Sequence, residues 1–188
     1  MEKKGRLIIL SGPSGVGKGT IREQLFNNKE LNLAYSISMT TRKPRVNEVN
    51  GVDYFFVSEK EFLRSIDNDE LIEWAEFVGN YYGTPKYYVE ELLKKGKNVV
   101  LEIEVQGATQ VIASCKDVLS IFIVPPSMEE LERRIRSRQT ETEAVIKTRL
   151  AKAASEIDTA DNYDYVVENT NVANAVLEIS KIIKENTN

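Results

Sequence analysis

The 188-residue chain contains no histidine and one cysteine, Cys115. Without histidine, Ser-His-Asp catalysis and histidine metal sites are excluded. One cysteine excludes an internal disulfide and fits a reducing compartment, the cytoplasm. Cys115 itself reads as a small apolar residue on a helix. No apolar run approaches the ~20 residues that span a bilayer, so no membrane association is expected. Met1-Glu-Lys-Lys runs straight into the first apolar segment, so no leader peptide is expected either. The net charge of −4 argues against a nucleic-acid surface. It leaves room for a locally basic anion site. What remains is a charged, soluble composition of single-domain length, 41% hydrophobic and 29% charged.

What is present centres on Leu7 to Thr20, LIILSGPSGVGKGT. Leu7 to Leu10 reads as a buried strand. Gly12, Pro13, Ser14, Gly15, Val16, Gly17 and Lys18 follow, and Ile21, Leu25 and Phe26 then recur at helical spacing. Strand, glycine loop and helix in that order is the context of a phosphate-binding P-loop. Glycines let backbone N–H groups converge on an anion. The helix N-terminus adds partial positive charge, and Lys18 supplies a cation for β- and γ-phosphates. One position departs from the usual pattern. Gly19 follows the lysine where Ser or Thr is expected to reach Mg²⁺, and the hydroxyl arrives one residue later at Thr20.

Along the chain, strands are expected at Ala34–Ser38, Val52–Val57, Leu71–Phe77, Asn98–Glu104, Leu119–Val124 and Tyr165–Val167. Helices are expected after Ser58, with Glu61 completing a capping box, and after Thr84 as N-cap with Pro85 in the first turn. Further helices follow Ser127 and Thr140, and Val172–Ile183 closes the chain. Strands alternating with helices imply an α/β fold with a mainly parallel sheet. The 34–82 stretch differs, with short strands joined by turns, and reads as a small antiparallel insert.

Three groups of residues carry further chemistry. Ser38, Arg42, Arg45, Tyr54 and Tyr82 gather two guanidiniums and three hydroxyls, suited to phosphate oxygens. A solvated basic turn with core tyrosines is the alternative. Glu73 sits in apolar Leu71-Ile-Glu-Trp-Ala and needs a donor. Guanine presents N1–H and a 2-amino group on one edge, whereas adenine N1 is a lone pair. Glu73 could instead lie on a solvent face. Glu102 and Glu104, two apart, are expected on one strand face looking into the crevice, where they could hold Mg²⁺ waters or contact a base. Arg134, Arg138 and Arg149 lie on two helices that could close over transferring phosphates. Arg133 and Arg136 read instead as surface charges paired with nearby glutamates.

The segments SGPSGVGKGT, SISMTTRKPR, NGVDYFF, LIEWAEF, GNYYGTP, LEIEVQGA, PPSMEELERRIRSRQTETE and YDYVVEN, in this order, resemble the guanylate kinase family from Ser11 to about Asn169. The resemblance implies a P-loop core (1–36, 89–125 and 154–188), a GMP-binding insert (37–88) and a helical lid (126–153). It implies transfer of the γ-phosphoryl of ATP to GMP, and to dGMP, with Mg²⁺ held through phosphates and waters and Thr20 or Glu102 as the nearest protein groups. It places Ser38, Arg42, Arg45, Tyr54 and Tyr82 on the GMP phosphate, Glu73, Thr84 and Glu104 on guanine with Glu102 beside them, and Asn169 near adenine. Lys18, Arg42, Arg134, Arg138 and Arg149 would act on the transferring group, and the protein would be a monomer or homodimer. Thr84 stands where Ser is frequent, and Glu104 where Asp is usual. A non-catalytic protein-binding module of the same fold and a kinase for another nucleoside monophosphate are the competing readings. The intact P-loop and lid arginines oppose the first, and Glu73 and Glu104 oppose AMP.

Overall fold

The structure, a computed structural model, describes residues 4–77, 79–137 and 142–187. Its centre is strand β1 (Leu7–Ser11), every residue of which is buried. In β1, Ile8 and Leu10 face one way and pack with Ile21, Leu25, Ala175 and Ile179. Leu7 and Ile9 face the other way and pack with Val89, Leu93, Ala108 and Val111. Alternate side chains of a strand take opposite faces, so a continuous apolar run requires cover on both sides. Helices α1 (Lys18–Asn27) and α7 (Val172–Thr187) cover one face, and α3 (Lys86–Lys94) and α4 (Val105–Ser114) the other. Each Leu, Ile or Val so buried contributes about 1.5–3 kcal/mol.

The sheet runs β2-β7-β1-β8-β9, with β2 (Leu33–Tyr35), β7 (Asn98–Glu102), β8 (Val118–Val124) and β9 (Tyr165–Glu168) all parallel to their neighbours. Leu7 stands opposite Val99 on one side and Val118 on the other. The carboxyl ends of β1, β7, β8 and β9 therefore share one edge, where α/β sheets bind ligands. Helices α5 (Met128–Ser137) and α6 (Glu143–Ile157) stand over that edge and bury Leu131, Ile135, Ile146 and Ala153 between them.

A second sheet, β4-β3-β6-β5, is built from β3 (Met39–Thr40), β4 (Phe55–Phe56), β5 (Leu71–Phe77) and β6 (Asn80–Pro85). It is mixed, whereas the expectation was antiparallel. Strands β5 and β6 form a hairpin and β3 runs antiparallel to β6, but β3 and β4 are parallel. The link from β3 to β4 contains a turn around Asn50–Tyr54 and returns the chain to the same end of the sheet. The expected strand at Ala34–Ser38 shrinks to the end of β2 at Tyr35, and that at Val52–Val57 to β4. Helix α2 (Glu59–Asp67) has the expected capping box between Ser58 and Glu61. Thr84 does not cap α3. It is the penultimate residue of β6, Pro85 is the N-cap, and the Thr84 hydroxyl is used elsewhere. Helix α6 is capped by Thr142, while Thr140 lies outside the described residues.

Candidate active site

The P-loop leaves β1 at Ser11, and three of its glycines hold left-handed backbone: Gly12 (φ 143°), Gly15 (φ 90°) and Gly17 (φ 101°). Space enforces glycine as strongly as φ does. A Cβ on Gly12 would stand 2.3 Å from the Ile123 carbonyl oxygen, and one on Gly17 would stand 2.8 Å from Asn169 Nδ2. Gly17 is also the N-cap of α1. No side chain caps that helix and no acidic residue stands in its first turn. Its leading N–H groups are thus left for an anion. Lys18 Nζ donates to the carbonyls of Gly12 (2.5 Å) and Pro13 (3.2 Å), which folds the lysine over its own loop. Burial pushes its ammonium below the usual lysine range, and the Glu102 carboxylate opposes that shift.

Two arginines, one each from α5 and α6, meet this loop. Arg134 donates to the Val16 carbonyl at 3.4 Å and the Asn169 carbonyl at 2.9 Å, and its Nε bonds Glu130. Arg149 donates to Ser14 Oγ. Asn169 Nδ2 also donates to the Val16 carbonyl, at 2.8 Å, while its buried Oδ1 has no hydrogen-bond partner among the described residues. Arg138 lies outside the described residues. Arg133 pairs with Glu130, and Arg136 with Glu132 and Glu143, as the glutamate-rich spacing of α5 suggests. Thr20 is exposed in the first turn of α1. Glu102 lies alongside that turn: a Cβ on Gly19 would stand 3.9 Å from its Oε1.

Beyond Glu102 opens a cleft of about 1040 Å³, lined among others by Ser38, Tyr54, Glu73, Tyr82, Glu102 and Glu104. Glu73 is only 6% exposed. A register shift between Leu71 and Trp74 brackets it, and such bulges re-aim side chains. Its Oε1 accepts from Thr84 Oγ1 at 2.6 Å. Its Oε2 lies against Gly107 in the first turn of α4, where a Cβ would come within 2.6 Å. Burial raises the Glu73 pKa above the usual carboxylate range, and the Thr84 hydroxyl opposes the rise. Gln110 of α4 exchanges hydrogen bonds with the Trp74 backbone and so ties β5 to the core.

The remaining expected residues fall into place unevenly. Tyr54 and Tyr82 meet edge to face at 6.2 Å. Arg42 stacks over Tyr54 at 5.3 Å, but its guanidinium fork is taken by both oxygens of Glu48, at 2.9 Å each. Arg45 is exposed, and its backbone N–H also bonds Glu48. Glu102 and Glu104 do not share a strand face, because β7 ends at Glu102 and Glu104 is the N-cap of α4. Glu102 Oε2 pairs with Arg22 at 3.2 Å, and among the described residues this buried oxygen has no hydrogen bond of good geometry. Glu104 pairs with Lys152 of α6 at 2.8 Å.

A guanylate kinase family model matches residues 4–186. The chain belongs to the guanylate kinase family. It is 62% identical to a guanylate kinase of Mycoplasma capricolum over 96% of this chain and 61% of that protein. It is 55% identical to one of Bacillus subtilis over 97% of this chain and 90% of that protein. A crystal structure of guanylate kinase from Anaplasma phagocytophilum superposes with a TM-score of 0.77 at 38% identity, covering 100% of this chain and 88% of that one. The chain thus spans about three fifths of the length of the Mycoplasma capricolum relative.

Sequence reasoning missed Glu48, Gly107, Lys152 and Glu156. Gly107 stands in the LEIEVQGA segment that carries the family resemblance, and a glycine in the first turn of a helix is a visible anomaly. Lys152 is placed by Glu104, 48 residues away, whereas Glu48 pairs with Arg42 six residues before it and Glu156 with Lys152 one helical turn before it.

Proposed function

We propose that this chain transfers the γ-phosphoryl of ATP to GMP, and to dGMP, giving ADP and GDP. The observation that carries the reading is Glu73, a buried carboxylate facing the cleft, whose one hydrogen-bond donor among the described residues is the Thr84 hydroxyl. A carboxylate so placed matches the N1–H and 2-amino edge of guanine and repels the N1 lone pair of adenine. Leaving it unpaired makes the wrong base costly. Thr84 fixes one oxygen and leaves the other for the base. Tyr54, Tyr82, Ser38, Arg42 and Arg45 would take the GMP phosphate. For Arg42 this means sharing or leaving Glu48.

On the donor side, the glycine loop and the uncapped start of α1 would cradle the ATP phosphates. Lys18, which donates to two carbonyls of its own loop, would turn to the β- and γ-phosphates. Arg134 and Arg149 already touch the loop and would neutralise charge as the phosphoryl group moves. Asn169 would lie near adenine, with Arg138 joining the lid arginines. The insert (37–88) and lid (126–153) would close on the core and exclude water.

Magnesium fits this frame in one way. Among the described residues no cluster of three or more acidic or cysteine side chains could hold a metal. Glu102, whose Oε1 lies beside the first turn of α1 and whose Oε2 faces Arg22 at 3.2 Å, is a single carboxylate suited to metal-bound water. Mg²⁺ held by phosphates and waters, with Glu102 and Thr20 nearby, would supply charge neutralisation across the β- and γ-phosphates.

A coupled assay with ATP and Mg²⁺ tests the reading by offering GMP, dGMP, AMP and UMP as acceptors. GMP and dGMP should turn over, with AMP and UMP lower in kcat/KM by on the order of 10³ or more. AMP or UMP within tenfold of GMP would overturn it.

A further inference from the structure

Glu104 stands at the start of α4, exposed, with two rotatable bonds between its Cβ and its carboxylate carbon. A side chain of that reach does not hold one position unaided. In this structure it is held. Lys152 Nζ donates to Glu104 Oε2 at 2.8 Å and lies 3.5 Å from Glu156 Oε1. The two ends of this triad are unlike. The Glu156 side chain is 10% exposed and the Glu104 side chain 61%. Glu156 sits one helical turn after Lys152 on α6, so the pair fixes the ammonium on the lid helix. Burial works against the Lys152 charge, yet Glu104 and Glu156 together hold its pKa above the usual lysine value. Both Lys152 and Glu104 line the cleft that contains Glu73.

We propose that Lys152 is a positioning residue for purine selection: anchored on α6 by Glu156, its ammonium fixes the long Glu104 side chain at the cleft, where that carboxylate accepts from the 2-amino group of the acceptor base. The proposal rests on the reading of Glu104 as a guanine contact. It adds a residue that touches no substrate atom and that links the lid helix to base choice. Two arrangements could hold an acceptor oxygen at this place. One is a short side chain that needs no support, and the other is a long one with a cation to restrain it. This chain has the second. Guanine and hypoxanthine differ at C2 by that amino group alone, so the ratio of kcat/KM for GMP to that for IMP reads the contact directly.

The test measures that ratio in Lys152→Ala, Lys152→Arg, Glu104→Gln and the double variant Lys152→Ala with Glu104→Asp. Residue 152 is half-exposed on a helix, where alanine is well tolerated. Lys152→Ala should raise the KM for GMP about threefold to fivefold, the range an exposed charge pair of good geometry supports. It should lower the GMP-to-IMP ratio by a similar factor, with a smaller change in the KM for ATP. Lys152→Arg, which keeps charge and reach, should restore the ratio to within about twofold. The shorter Asp in the double variant should recover part of what Lys152→Ala loses. A ratio unmoved by Lys152→Ala but lowered by Glu104→Gln would overturn the positioning role and leave the base contact standing. A ratio unmoved by Glu104→Gln would overturn the base contact and the proposal with it. Equal rises in the KM for GMP and for ATP, with the ratio constant, would make the triad a support of the lid alone and overturn the proposal.

Discussion

Gly12, Gly15 and Gly17 hold backbone that other residues rarely adopt, and Ile123, Ile135 and Asn169 occupy the space where side chains would grow. Across the cleft, Arg42, Glu48, Tyr54 and Tyr82 are held by one another, through a guanidinium–carboxylate fork and ring contacts within a four-stranded sheet of short strands. The first region is fixed by main-chain shape and by the buried sheet behind it. The second is fixed by side-chain pairs that a ligand's charge can rearrange. A phosphate cradle built from backbone N–H groups gains from rigidity, because its donors need no reorganisation. If the proposed function holds, a wall that admits and then encloses an acceptor would gain from side-chain contacts that can re-form around it.

The largest expected effect lies on the rigid side. Lys18→Ala should lower kcat by on the order of 10² or more, at least about 2.7 kcal/mol of transition-state stabilisation. Near-normal turnover in a folded variant would remove Lys18 from the phosphoryl-transfer step. On the insert side, Glu73→Gln should raise the KM for GMP by about tenfold or more, and that for ATP by less than about twofold. Its effect on the free protein should have the opposite sign. Burial raises the Glu73 pKa, so the folded chain binds its proton more tightly than the unfolded chain does. Its contribution to stability therefore falls as pH rises from the ordinary carboxylate range through the raised value. Glu73→Gln should accordingly leave Tm at neutral pH unchanged or higher and flatten its dependence on pH in that window. A lower Tm at neutral pH would show that the carboxylate is a structural support. The smallest effect belongs to Glu48→Gln, which loosens the Arg42 fork: a rise in the KM for GMP of about threefold. A fall in that KM would show that Glu48 competes with the acceptor phosphate and does not orient Arg42.

The same contrast decides what the sequence makes legible. Leu7–Leu10 and Leu119–Val124 are buried on both faces, and a continuous apolar run declares that arrangement. The P-loop is legible because its φ values and close contacts admit little but glycine. The insert is less so. Glu73 is turned inward by a bulge, and nothing in Leu71-Ile-Glu-Trp-Ala marks a bulge. Thr84 followed by Pro85 has the pattern of a helix start, yet the strand continues to Pro85 because β6 pairs with β5, and the hydroxyl serves Glu73. Glu104 reads as two residues along a strand from Glu102, but β7 ends first and α4 begins. At Thr84 a tertiary contact overrides a local pattern, whereas Glu73 is buried with a donor as its apolar setting requires.

Amide exchange, measured with and without a saturating bisubstrate analogue that joins adenosine to guanosine through phosphates, tests the contrast most directly. The account predicts slower exchange across residues 37–88 and 126–153, with little change in β1 and β8. It also predicts a smaller radius of gyration in solution scattering. Identical exchange and scattering in the two states would contradict it, for the insert and lid would then be as preformed as the phosphate loop they face.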